Sequence, residues 1–369
     1  MKILIYQPRA SYYVGGGEVV VINQAINLIK DGFDVCFVTS KASWILESEI
    51  FVKFKENFSN NIVQIEIPNN LKSIYDVNPG HDWVRWDLES LHFGLHARKI
   101  IESMTYDVGV CHLPLDLVAL NDSRRNIVYL HGYPETLNYA CELVLHRQHE
   151  YVAVSQKVKE EWSKLIKDRE IESVCNGIDT KHFSPEVGKI KKHDILFVGR
   201  LVQNKGILNL LPTFKDLVLE NSKIKIGIVG TGPLYEEIKS FINDNNLASN
   251  IEIYGYVLEG KLLELYRDSK IAVLPSLGKE GILTTALEAT ACGVPVITSQ
   301  GLGLDEYIQN EKNGFLVNPD NQPEIKGLIK KILEDDNLLG NLSKQARDLS
   351  LDWDWSIKIK ELERILKHE

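Results

Sequence analysis

The sequence predicts an α/β fold made of two doubly wound parallel domains in tandem. Three observations predict it. Short β-branched apolar runs alternate with stretches of helical periodicity. Glycine-bearing turns follow several of the runs. The whole series restarts once, after a polar stretch at Ser184–His193 that contains Pro185 and Gly188 and reads as a linker.

The first series begins with Lys2–Gln7, an apolar run rich in isoleucine. Gly15, Gly16 and Gly17 follow, then a helical pattern over Val19–Lys30 with Val19, Ile22, Ile26 and Ile29 on one face. Asp31-Gly32 stops that helix, and Val35–Thr39 is the next strand, which completes a βαβ unit. Further strands are expected at Ile62–Ile67, Val108–Cys111, Ile127–Leu130, Tyr151–Val154 and Ile171–Val174. The second series runs through Ile195–Val198, Ile224–Val229, Ile251–Tyr254, Ile271–Leu274, Val296–Ile297 and Phe315–Val317. Domains of 1–185 and 190–350 follow, with a helical tail over Asn337–Glu369. In such sheets ligands bind at the carboxyl ends of the strands, so the expected site lies where the two domains face each other.

Composition narrows the function. The chain has 369 residues, 42 Lys+Arg against 51 Asp+Glu, and a net charge of −9, with the acidic excess spread over both halves. That balance argues against a general nucleic-acid binder. Five dispersed cysteines without paired spacing suit free thiols in a reducing compartment and imply no metal site. No apolar run is long enough to span a membrane and no targeting segment is recognised, so a cytoplasmic protein is expected, with a peripheral contact at the inner membrane face left open.

The chemistry concentrates in Pro275–Pro295, directly after a predicted strand. Ser276–Gly281 is a polar loop, and Ile282–Cys292 reads as a helix of small and apolar residues whose first N–H groups form an anion site. Glu280 and Glu288 flank this junction; each offers two in-plane oxygens for vicinal sugar hydroxyls, or else a solvated helix charge. Gly199-Arg200-Leu201 with Lys205-Gly206 follows another strand, and the two cations suit a diphosphate. Gly230 and Gly232 sit in a strand-end turn, and Tyr256 and Val257 could line a base pocket or a plain turn. In the first half, Gly15–Gly17 lacks the dinucleotide spacing, which makes a dehydrogenase the weakest reading. His131 stands at a strand end before Gly132, either as an active-site group or as a structural ring. Asn78–Leu91 reads as an aromatic, charged loop whose Trp83, Arg85 and Trp86 could touch an acceptor or pack as a lid.

In this order, Asn176–Asp179, Gly199–Leu201 with Lys205-Gly206, Gly230–Pro233, Gly255–Val257, Glu280 with Glu288, and Asn313–Val317 resemble the family-4 retaining glycosyltransferases. The resemblance implies the GT-B fold: an acceptor-binding first domain and a second domain that binds the donor. The tail, from about residue 353 to 369, would cross back to the first. It implies transfer of a sugar from a nucleotide-diphosphate sugar, UDP before GDP, to a glycan, lipid-linked or small-molecule hydroxyl, with no cofactor and no required metal. Arg200 and Lys205 would hold the diphosphate, Glu280 the transferred sugar and Glu288 the ribose. The backbone around Leu283 and Thr284 would cradle phosphate, Gly281 and Ile282 would also bind the donor, Gly16 and Gly17 would let the N-terminal loop close over it, and His131 would lie beside the sugar. The family often has Glu-Gly-Phe-Gly where this chain has Glu280-Gly281-Ile282-Leu283, a difference that bears on donor identity. A non-catalytic partner subunit and a nucleotide-sugar 2-epimerase are the alternatives on the same fold.

Overall fold

The structure, a computed structural model, describes residues 1–75, 83–134, 149–278, 281–301 and 303–368. Its chain divides into two compact units, Met1–Gly177 with Trp355–Glu369, and Ile178–Asp354.

Unit 1 is built on seven parallel strands: β1 (Lys2–Tyr6), β2 (Asp34–Lys41), β3 (Ile62–Glu66), β4 (Val108–Cys111), β5 (Arg125–Leu130), β6 (Glu150–Ala153) and β7 (Ile171–Ser173). Their order is β3-β2-β1-β4-β5-β6-β7. Unit 2 holds β8 (His193–Val198), β9 (Ile226–Val229), β10 (Ile251–Gly255), β11 (Ser269–Leu274), β12 (Val296–Ser299) and β13 (Gly314–Val317), ordered β10-β9-β8-β11-β12-β13. Both sheets are doubly wound, and each reverses its strand order once, between β1 and β4 and between β8 and β11. The central strands, β1, β4 and β9 among them, are buried on both faces, which is why they read as continuous apolar runs and not as alternating ones. The fold class expected from the sequence is the one found.

The local boundaries differ in three places. Helix Gly16–Lys30 starts three residues before the expected Val19, so Gly16 and Gly17 form its first turn instead of a loop, with Gly15 at the cap. The aromatic, charged segment expected as a loop is helix Trp83–Ile101 from its first described residue; it buries Glu89 and Ser90 beside Phe93 and Ala97. The polar stretch Ser184–His193 lies inside unit 2, tied down by side chains distant in sequence. Arg267 Nε donates to the Ser184 carbonyl at 2.7 Å, and Lys191 Nζ donates to the Arg267 carbonyl at 2.8 Å.

The chain passes between units at Gly177/Ile178 and again at Asp354/Trp355. Within unit 2, Asp354 Oδ2 accepts from Thr180 N–H at 3.1 Å and from its hydroxyl at 2.6 Å. Within unit 1, Trp355 is buried against Gly177, where any Cβ would meet the indole. The last helix, Trp355–Lys367, then adds Ile359, Leu362 and Leu366 to the core of the first sheet. Arg125 fastens its end by donating to the carbonyls of Ile365 and Leu366, each at 2.6 Å. No helix among the described residues is long and apolar enough to cross a membrane.

Candidate functional site

In a doubly wound sheet the crevice opens beyond the carboxyl ends of the strands where the order reverses. In unit 2 that point lies past β8 and β11, and the motif loops meet there. Leu277 N–H and Gly278 N–H both donate to the Asn204 carbonyl, at 2.7 and 3.1 Å, which joins the loop after β11 to the loop after β8. Gly199 N–H donates to Val229 O at 3.0 Å and Leu201 N–H to Thr231 O at 2.9 Å, which joins β8 to the turn after β9. Gly230 N–H donates to Gly255 O at 2.8 Å and carries the tie on to the loop after β10. Two glycines permit this closeness. Gly206 (φ 71°) and Gly230 (φ 138°) have left-handed backbones, and a Cβ on either would enter a neighbouring carbonyl, that of Pro275 or of Gly199.

Arg200 and Lys205 ride on this scaffold, both half-buried, with Lys205 closing the short 3-10 turn Gln203–Lys205. Gly281 and Leu283 are buried, while Ile282 and Thr284 are half-buried. Helix Thr284–Ala291 begins two residues later than the expected Ile282, so its first N–H groups belong to Thr284 and its neighbours. Glu288 stands one turn in, nearer the loop than a start at Ile282 gives. Its carboxylate accepts from the Tyr266 hydroxyl at 2.8 Å. Burial pushes the Glu288 carboxyl up to about 7, the Tyr266 bond opposes that, Glu259 adds to it and His182 opposes it. Tyr256 is exposed after β10, and Val257 packs on the apolar cluster beneath it. Glu280 lies outside the described residues.

In unit 1 the reversal point lies past β1 and β4. Arg9, just after β1, is 1% exposed. Both its terminal nitrogens donate to Ser90 Oγ, at 3.1 and 3.0 Å, and Nη1 lies 3.7 Å from Glu89 Oε2. Burial lowers the Arg9 pKa, but Asp116, Tyr12, Glu18 and Glu89 outweigh it, and the net shift is upward. Asp116 is fully buried; burial raises it to about 6 against the pull of Arg9 and Ser90. Trp86 belongs to this packing: Arg9 lies over its ring at 5.1 Å, and Tyr13 meets it edge-on at 5.3 Å. Of the other acceptor candidates, the backbones of Trp83 and Arg85 belong to the same helix, and their side chains lie outside the description. At the end of β2 a cavity of about 240 Å³ opens, lined in part by Tyr12, Lys41, Glu47 and Lys55.

His131 follows β5 and is half-buried. Its Nε2 lies 2.9 Å from Nδ1 of His112, which follows β4 and is 1% exposed. Burial lowers both imidazoles, His131 to about 4. Trp162 Nε1 donates to the Gly132 carbonyl at 2.8 Å and anchors the turn. Sequence reasoning missed His112, Arg9 and Asp116. The signal available was position alone, at or just past the ends of strands beside the reversal point.

Two family models match, "Glycosyltransferase Family 4" over residues 14–182 and "Glycosyl transferases group 1" over 179–349. The chain is a family-4 glycosyltransferase. An uncharacterised glycosyltransferase of Methanocaldococcus jannaschii is 29% identical to this transferase over 204 residues, which span 55% of each chain, so the match covers about half of that relative. The UDP-Gal:alpha-D-GlcNAc-diphosphoundecaprenol alpha-1,3-galactosyltransferase of Escherichia coli is 23% identical over 94% of the transferase and 92% of its own length. In fold, the transferase superposes on sucrose-phosphate synthase from Thermosynechococcus elongatus with a TM-score of 0.80 at 17% identity, covering 100% and 98% of the two chains. The family models show the glycosyltransferase family, and the structural likeness shows the GT-B fold.

Proposed function

We propose that this glycosyltransferase retains anomeric configuration, takes a UDP-sugar as donor and needs no metal. The observation that carries the reading is the knitting of the loops after β8, β9 and β11, which gathers Arg200, Lys205 and the N-terminus of helix Thr284–Ala291 on one sheet edge. Two cations and the N-terminus of a helix are the charge complement of a leaving diphosphate. Arg200 takes it as a fork and Lys205 as a point charge. Glu288 receives the ribose hydroxyls and Glu280 those of the transferred sugar, while Gly16, Gly17 and His131 border the donor. The E. coli relative, named for a UDP-galactose donor and a diphosphate-lipid acceptor, supports UDP and a lipid-linked or glycan acceptor.

Retention needs either a nucleophile or a front-face path. In unit 1, Glu89 and Asp116 are buried around Arg9, which supports the front-face path. There the bond from the anomeric carbon to the diphosphate oxygen breaks as the acceptor oxygen bonds on the same face. The acceptor proton passes to the departing phosphate oxygen.

The test is a thermal-shift panel of UDP- and GDP-sugars followed by transfer assays with the best donor. One UDP-sugar should stabilise the protein, and Glu280→Ala should lose transfer while still binding UDP. Near-normal transfer by Glu280→Ala overturns the assignment, and isomerisation of the donor without any acceptor would point to an epimerase.

A further inference from the structure

We infer that His112 fixes the tautomer of His131, so that His131 acts as a hydrogen-bond donor through Nδ1 and not as a base. The inference rests on the reading that His131 borders the transferred sugar.

The geometry restricts the choice. Strands β4 and β5 are neighbours, with Cys111 paired to Val128, and this register brings the residues after them together. His112 Nδ1 and His131 Nε2 face each other at 2.9 Å. One nitrogen must carry the hydrogen and the other must accept it. The His112 ring is stacked on Tyr129, with centroids 4.6 Å apart and planes 7° from parallel, so its orientation is fixed. Its far nitrogen, Nε2, is buried and has no hydrogen-bond partner among the described residues.

That orphan nitrogen decides the direction. Suppose His131 Nε2–H donated to His112. His112 would then have to carry its own hydrogen on Nε2, as a buried N–H with no acceptor. Such groups are rare and costly. In the opposite arrangement His112 Nδ1–H donates to His131 Nε2, and the orphan is a bare lone pair, which loses less on burial. Burial also opposes a proton on both nitrogens of either ring. The pair is therefore neutral, and the remaining hydrogen of His131 lies on Nδ1. A neutral imidazole in that state can donate to a sugar oxygen. It has no free lone pair with which to take the acceptor's proton, because Nε2 is engaged with His112. The proton must leave by another path, as the front-face reaction provides.

His112 is thus a positioning residue, and the test separates it from a packing role. His112→Phe keeps a ring on Tyr129 and removes the donor. His112→Asn keeps an N–H close to the Nδ1 position. In full-length ligand-free protein with isotope-labelled histidine, the His131 ring nitrogens report the tautomer, assigned through a His131→Phe variant. Wild type and His112→Asn should show hydrogen on Nδ1, and His112→Phe a mixture. Transfer should fall about tenfold in kcat for His112→Phe, the worth of one hydrogen bond, with His112→Asn within about threefold of wild type and UDP affinity unchanged in both. Hydrogen on Nε2 of His131 in the wild type overturns the inference, and so does a His112→Phe spectrum like wild type. Should His112→Phe not fold, the wild-type and His112→Asn spectra still decide it. If the tautomer is as expected but His131→Phe transfers normally, the reading of the site fails and the tautomer assignment stands.

Discussion

Raising the pH through neutrality should tighten nucleotide-sugar binding to this protein, and Glu288 is the cause. Its carboxyl titrates near 7 because burial penalises the charge more than the Tyr266 hydroxyl relieves it. A ribose diol donates two hydrogen bonds, which an ionised carboxylate accepts with charge assistance and a neutral acid does not. If only the ionised form binds well, the competent fraction is about a tenth at about pH 6 and about nine tenths at about pH 8, so Kd should fall roughly tenfold between them. A nucleotide-sugar suits the assay because its diphosphate is esterified at both ends and has no terminal phosphate to titrate here. Calorimetric titrations at the two pH values, on wild type and Glu288→Gln, read the effect. The variant should bind more weakly at the higher pH and show no slope. An equal slope in both proteins, or none in wild type, refutes the reasoning. Stability should move the opposite way. The folded state holds this proton more tightly than the unfolded one, so the contribution is full below the ordinary 4.5 and lost as pH rises through about 7. Allowing for a carboxyl that still reaches solvent, Glu288→Gln should recover about 2 kcal/mol above that range.

Three further outcomes are expected. Arg200→Ala should weaken UDP binding by roughly 10- to 100-fold, the value of lost charge-assisted hydrogen bonds; unchanged affinity contradicts the diphosphate role. Arg9→Met leaves Asp116 and Glu89 buried without their cation and should cost about 3–5 kcal/mol in urea unfolding at neutral pH. The loss should shrink below about pH 6, where Asp116 is protonated; a loss independent of pH rejects the charge argument. Leu362→Ala empties part of the first core and should cost about 2–5 kcal/mol, seen by calorimetry as an earlier transition for one unit only; one shifted transition for the whole chain counts against it.

Much of this architecture is legible in the chain because doubly buried strands must be apolar throughout. Runs such as Val108–Cys111 and Ile271–Leu274 therefore stand out without any alternation. The loops of unit 2 are legible for a related reason: Gly199 and Gly230 stand at strand ends and Gly206 at a helix start, where the backbones come close. The buried charges of unit 1 hide because their logic is long-range. Nothing near Arg9 announces a buried charge; its partners Glu89, Ser90 and Asp116 are remote in sequence. The same burial of polar groups masks helix Trp83–Ile101, whose inner face carries Glu89 and Ser90 where an apolar stripe is expected. Helix Gly16–Lys30 hides its start because glycine is a poor helix former. Ser184–His193 has the composition of a linker, yet Arg267, distant in the chain, holds it in place.

The last helix carries a consequence for how the protein is made. Unit 2 is one uninterrupted stretch, Ile178–Asp354, whereas unit 1 needs residues from both ends of the chain. During synthesis the stretch made first must wait until helix Trp355–Lys367 has followed unit 2 out of the ribosome before Ile359, Leu362 and Leu366 can complete its core and Arg125 can grip that helix's final turn. The unit that emerges second can finish folding first. A ribosome stalled before that helix would then leave unit 2 finished and the first sheet open, the species most in need of a chaperone.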